Sequence, residues 1–167
     1  DAAVLAELDR LGSQAQAMEQ QLLRQLEGVG AALTGVRGLV RQNPHGPWPA
    51  LPAQLDLLAG ATAGVDRIVV LNAQGRVVGA AQPALLGTEG TDADHLRHAR
   101  ENAAQDQLLV SRPLSSQLGP QVVMLARALP DAGGGLGALV AATLDQDYFG
   151  LVLQSVLYAP DVVATVS

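Results

Sequence analysis

The chain has 167 residues, 49% of them apolar and 16% charged, with a net charge of −6; this fits one globular domain with a real core and excludes a largely disordered chain. Four aromatic residues, Trp48, Tyr148, Phe149 and Tyr158, and an acidic balance leave neither the stacking platforms nor the positive charge that nucleic-acid binding needs. Cysteine is absent and all ten basic residues are arginine, so disulfides, thiolate chemistry, Schiff bases and lysine-containing phosphate loops are excluded as well.

From Asp1 to about Asn43, apolar or small residues fall at positions 4, 8, 11, 15, 18, 22, 26, 29, 33, 36 and 40. That is a heptad seam with one stutter, and nothing before Pro44 breaks it. At ~1.5 Å per residue the helix would run roughly 60 Å, longer than a domain of this size is wide, so part of it must project or pair. Its second half could equally lie on its own domain. Gly28, Gly30, Gly35 and Gly38 in that half predict close approach to another surface or a bend, because glycine is costly inside a helix.

The segment Asn43-Pro44-His45-Gly46-Pro47-Trp48-Pro49 breaks the helix, and a short second helix is predicted over 51–63. The period then changes. Strands are predicted at 67–71 and 76–81 around the turn Asn72-Ala73-Gln74-Gly75. A loop follows at 83–90, then a helix over 92–103 capped by Thr91. Further strands are expected at 108–112, 121–129 and 136–144, then a helix from a capping Asp145 to Tyr158, and a last strand over 162–167 without an evident partner. The order implies an α+β fold with a mainly antiparallel sheet. No apolar run reaches the ~20 residues of a membrane span, and the first residue already lies inside a helical pattern, so the chain is expected to be a piece of a longer protein.

The runs Asp66-Arg67-Ile68-Val69-Val70-Leu71-Asn72-Ala73-Gln74-Gly75-Arg76-Val77-Val78, Gly90-Thr91-Asp92-Ala93-Asp94-His95-Leu96, Val110-Ser111-Arg112-Pro113 and Leu144-Asp145-Gln146-Asp147-Tyr148-Phe149 resemble the extracytoplasmic PAS-like sensor domains called Cache or PDC domains, over almost the whole chain. The resemblance implies a long N-terminal helix over 1–43 that signals and dimerises, followed by a sensor domain over 44–167. That domain would have a five-stranded antiparallel sheet and a ligand pocket between one sheet face and the segment inserted after the first hairpin. It also implies a place outside the cytoplasmic membrane, in a receptor whose output is a diguanylate cyclase or a histidine kinase, with membrane segments outside this chain. Two departures stand out. The inserted helix carries Asp94-His95-Leu96 where the family has Asp-Tyr-Phe, and the Arg-x-Trp-Tyr pattern of amino-acid-binding members has no counterpart, which disfavours an amino acid as ligand and leaves a site lined by small aliphatics.

Four residues are candidates for ligand binding. His95, at the aromatic position of the inserted-helix motif, is expected to line the site and to change charge near pH 6.5, making ligand affinity pH-dependent. Arg112, at a strand end beside Ser111, and Arg127, in an otherwise apolar strand, could hold a carboxylate or other small anion; the alternative for each arginine is a solvent-facing or acid-paired structural role. His95 and His98 share a helix face with Asp94, but without a third strong ligand this spacing is ordinary for an exposed face, and no metal or cofactor is expected. Ser115 and Ser116 lack the glycine-flanked elbow of a hydrolytic nucleophile, so a noncatalytic domain is expected. The alternative function is a ligand-free dimerisation module built on the first helix.

Overall fold

The computed structural model describes residues 2–145 and 165–166, and the long seam forms a single helix, α1 (Ala2–Gln42). In its second half Leu26, Val29, Leu33, Val36 and Val40 are all buried, and they belong to the same core as the sheet. The seam there is satisfied within the chain, each such side chain contributing about 1.5–3 kcal/mol of apolar burial. Of the four glycines in this half, only Gly30 meets another part of the molecule; Gly28, Gly35 and Gly38 face open space. The breaker segment turns the chain into α2 (Leu51–Ala61), which buries Leu51 and Leu55 beside α1.

The change of period after Gly64 is where the sheet begins. Strands β1 (Val65–Asn72) and β2 (Val77–Gly79) form the expected hairpin, its turn closed by Asn72 Oδ1, which accepts from the backbone N–H groups of Gln74 and Arg76. After an inserted segment come α3 (Ala93–Glu101) and the strands β3 (Leu108–Val110), β4 (Leu114–Ser116), β5 (Gly119–Val122), β6 (Met124–Pro130) and β7 (Leu136–Leu144). Five strands pair antiparallel in the order β2-β1-β7-β6-β3, and β8 (Thr165–Val166) extends the β3 edge. The fold is α+β, as the order of elements predicts.

Alternation along the strands makes two apolar layers. Ile68, Val70, Val110, Leu125, Val140 and Leu144 point to α1 and α2, whereas Val69, Leu71, Leu109, Met124, Leu139 and Ala141 point to α3 and the β4–β5 hairpin. That separate two-stranded hairpin is absent from the sequence reading, which runs one strand over 121–129. Gln121, inside β5, has φ 51°, a left-handed conformation, and Val123 separates β5 from β6. The capping residue of α3 also differs: Asp92, not Thr91, accepts from the backbone N–H of His95. The last strand, expected without a partner, pairs through Thr165 and Val166 with Leu109 and Leu108. The helix expected after Asp145 lies outside the described residues.

Candidate functional site

The inserted segment covers one end of the sheet face opposite α1. Asp92 caps α3, which fixes the first turn and leaves the Thr91 hydroxyl free to meet His95 Nδ1 at 3.0 Å. His95, Leu96 and Ala99 form the buried side of the helix. His95 is only 5% exposed, and its Nε2 has no hydrogen-bond partner among the described residues. Burial is also the main reason that its pKa falls from 6.5 to about 4, with Asp92 opposing and His98 adding to the shift. The expectation that this ring changes charge near pH 6.5 is therefore corrected: it stays neutral through the physiological range, offering Nε2 as a single unsatisfied polar atom.

The inserted segment approaches the hairpin closely. A Cβ on Gly75, where φ is +81°, would come 3.1 Å from the Thr91 methyl and 3.4 Å from Leu96, and one on Gly90 would collide with Leu71. Glycine at both positions lets the inserted segment lie directly on the hairpin.

At the other end of the same face, Arg67 of β1, Thr143 of β7 and Ser111, just past β3, fall in one row interrupted by Met124 of β6. Arg67 pairs with Thr143 and Thr143 with Met124. Met124 and Ser111 exchange two bonds, Ser111 N–H to Met124 O at 2.9 Å and Met124 N–H to Ser111 Oγ at 2.8 Å. Ser111 and Thr143 are buried, and Arg67 is half-buried with its guanidinium donating to Leu118 O of the β4–β5 hairpin at 3.3 Å. Arg67 and Thr143 escaped the sequence reading, although the alternation that puts Arg67 on the side of Val69 and Leu71 was available to find Arg67.

Of the four residues singled out, the fold places His95 and Ser111 on the α3 side. Arg112 is exposed at the end of β3 and makes no hydrogen bond or ion pair with the described residues. Arg127 is brought to the opposite side: its Nε donates to Gly30 O of α1 at 3.1 Å and its NH1 lies 3.2 Å from Asp106 Oδ1. It cannot share a ligand with His95. None of the four lines the open cleft of about 540 Å³ between the α1–α2 link and the β2 edge, whose walls include Trp48, Leu51, Val78, Leu86 and Ala138.

No protein-family model matches the chain, and no curated protein matches it. Solved structures do. Over 93% of this chain and 64% of the other, it superposes with a TM-score of 0.78 and 21% identity on the extracellular domain of rpHK1S-Z16, a protein assigned as a histidine kinase. The chain has the fold of that extracellular domain. The same fold recurs in the ligand-binding domain of the Pseudomonas aeruginosa PAO1 amino-acid chemoreceptor PctC in complex with GABA, at 17% identity and a TM-score of 0.61, with 89% of this chain and 68% of that one covered. It recurs again in that of the Pseudomonas fluorescens chemoreceptor CtaA in complex with L-isoleucine, also at 17% identity and 0.61, over 92% of this chain. The chain spans 64% and 63% of the first and last of these structures, so it corresponds to part of each.

Proposed function

We propose that this chain is a noncatalytic, extracytoplasmic ligand-sensing domain, which passes the binding of a small molecule through α1 to an output domain carried elsewhere in a bacterial membrane receptor. One observation carries the reading: the sheet separates a long helix on one face from an inserted segment on the other, and that segment buries His95 with Nε2 unsatisfied among the described residues. A buried polar atom without a partner is costly, and a ligand group that meets Nε2 removes the cost. The sensor-domain fold supports it, and the ligands named for two structures of that fold, GABA and L-isoleucine, both carry a carboxylate. Arg112, exposed and without a partner among the described residues, is the residue we assign to an anionic group, with Ser111 beside it; Arg127, held by α1, is not carried into the site. The helix over 1–43 is not independent of the rest in this reading, because Leu26, Val29, Leu33, Val36 and Val40 share one core with the sheet.

The experiment is a thermal-shift screen of this chain against acetate, succinate, GABA and L-isoleucine at millimolar concentration. A ligand at roughly a hundredfold excess over its Kd should raise Tm by about 5–10 °C. If no small acid, amine or amino acid moves Tm, the sensing reading is overturned.

A second reading, a dimerisation module without ligand, draws on the exposed Val4, Leu5 and Leu23 of α1. It predicts a concentration-dependent dimer in sedimentation equilibrium that Leu23→Asp dissociates, and a Tm indifferent to every compound. A chain that stays monomeric at high concentration removes it.

A further inference from the structure

Asp106 sits five residues past the end of α3, and the chain between is drawn tight by successive bonds. Asn102 Nδ2 donates to His98 O at 2.8 Å, Gln105 N–H to Asn102 O at 3.0 Å, and Gln107 N–H to Gln105 O at 3.0 Å. A shift of α3 is therefore handed to Asp106 with little slack. The Asp106 carboxylate then reaches the other side of the sheet, where its Oδ1 accepts from Arg37 NH1 at 3.0 Å and from Arg127 NH1 at 3.2 Å.

Both arginines hold α1. Arg37 belongs to it and also donates to Ala128 O of β6 at 3.4 Å, while Arg127 of β6 grips the helix backbone at Gly30 O. A Cβ on Gly30 would come 3.2 Å from the Arg127 guanidinium, so the glycine gives the cation room to lie against the helix. The two guanidinium side chains are 10% and 12% exposed, against 74% for Asp106. Neither guanidinium can shed its proton, so two nearly buried cations share one carboxylate at the surface.

We propose that Asp106 is a latch that couples α3 to α1 through Arg37 and Arg127, so that displacement of α3 by a ligand loosens the seat of the signalling helix. The proposal rests on the sensing reading above and names how that site is read out. An exposed carboxylate suits the task because its bonds are weak; a contact worth only a few-fold in equilibrium can be shifted by a ligand of ordinary differential affinity, whereas a buried pair would lock the helix.

Hydrogen exchange of this chain tests the coupling without a ligand, so failure of the latch and failure of sensing are read in different experiments. Leu96→Ala loosens α3 by removing packing on the sheet, and Asp106→Asn removes the charge while keeping the shape. Asp106→Asn alone should speed amide exchange in the 28–40 stretch of α1 by roughly two- to fivefold. Leu96→Ala should speed exchange in both α3 and α1 in the native background, and in α3 only when combined with Asp106→Asn. The latch is overturned if α1 responds to Leu96→Ala equally in both backgrounds, or if Asp106→Asn leaves α1 unchanged.

Discussion

The Thr91 hydroxyl and the His95 imidazole, four residues apart at the start of α3, meet at 3.0 Å inside the molecule, while the half-buried Asp92 between them caps the same helix. One short stretch thus performs two tasks. The cap sets where the helix begins, and the buried contact decides what the inserted segment presents to the sheet.

Stability should depend on pH through His95. Its folded pKa, about 4, lies below the 6.5 of an unfolded histidine, so the unfolded chain binds the extra proton first and stability falls as pH drops from 6.5 towards 4. The stabilisation is fully present above 6.5, and its loss amounts to roughly 3 kcal/mol at about 1.4 kcal/mol per pH unit. Urea titrations between pH 7 and 4 should show this decline, and His95→Phe should flatten it. An equally steep decline in the variant would assign the effect to the carboxylates.

The two neighbours of the imidazole can be told apart by substitution. Thr91→Val removes the hydroxyl and leaves both ring nitrogens unpaired, for an expected cost of about 1–3 kcal/mol, whereas Thr91→Ser should cost much less. Asp92→Ala removes the cap at about 1 kcal/mol and should fray the first turn of α3; because Asp92 opposes the lowering of the His95 pKa, it should also extend the acid decline to lower pH. Denaturant midpoints at pH 7 rank the three.

Gly90 has no room for a side chain, since a Cβ there runs into Leu71 and lies 3.0 Å from Val77. Gly90→Val should destabilise by about 1–3 kcal/mol, the usual range for overpacking. Gly35→Ala, at an exposed helical position open to solvent, should instead stabilise by up to ~1 kcal/mol. Thermal melts of the pair give opposite signs if the inserted segment is seated directly on the hairpin.

For any carboxylate that raises Tm, Arg112→Ala should weaken binding more than tenfold, because a charge-assisted bond contributes about 1.5–3 kcal/mol. Arg127→Gln should change the stability of α1 and leave that affinity within about twofold. Calorimetry on both variants decides the assignment; an affinity unchanged by Arg112→Ala removes Arg112 from the site.

Much of the architecture is legible in residue order because it is written in local periods. The spacing of three and four from Val4 to Val40 is that of one helix, the Asn72 to Gly75 turn closes a hairpin, and the apolar run from Leu136 to Leu144 is the buried central strand β7. Short elements are less readable: β4 and β5 span three and four residues, too few to show a period, and the left-handed Gln121 within β5 has no signature in a residue that is not glycine.

What residue order by itself determined is the α+β class, the long helix and the place of the inserted segment, since each depends on propensities and spacings within a few turns of chain. Only the tertiary structure decided what the polar residues do. Arg127 has the same local setting whether it meets a ligand or a helix, and its commitment comes from Gly30, 97 positions away in sequence. Arg37 and Asp106, 69 apart, are joined for the same reason. Desolvation and long-range pairing are properties of the packed chain, and they fix His95 as neutral and Asp106 as the meeting point of two faces, which no local pattern encodes.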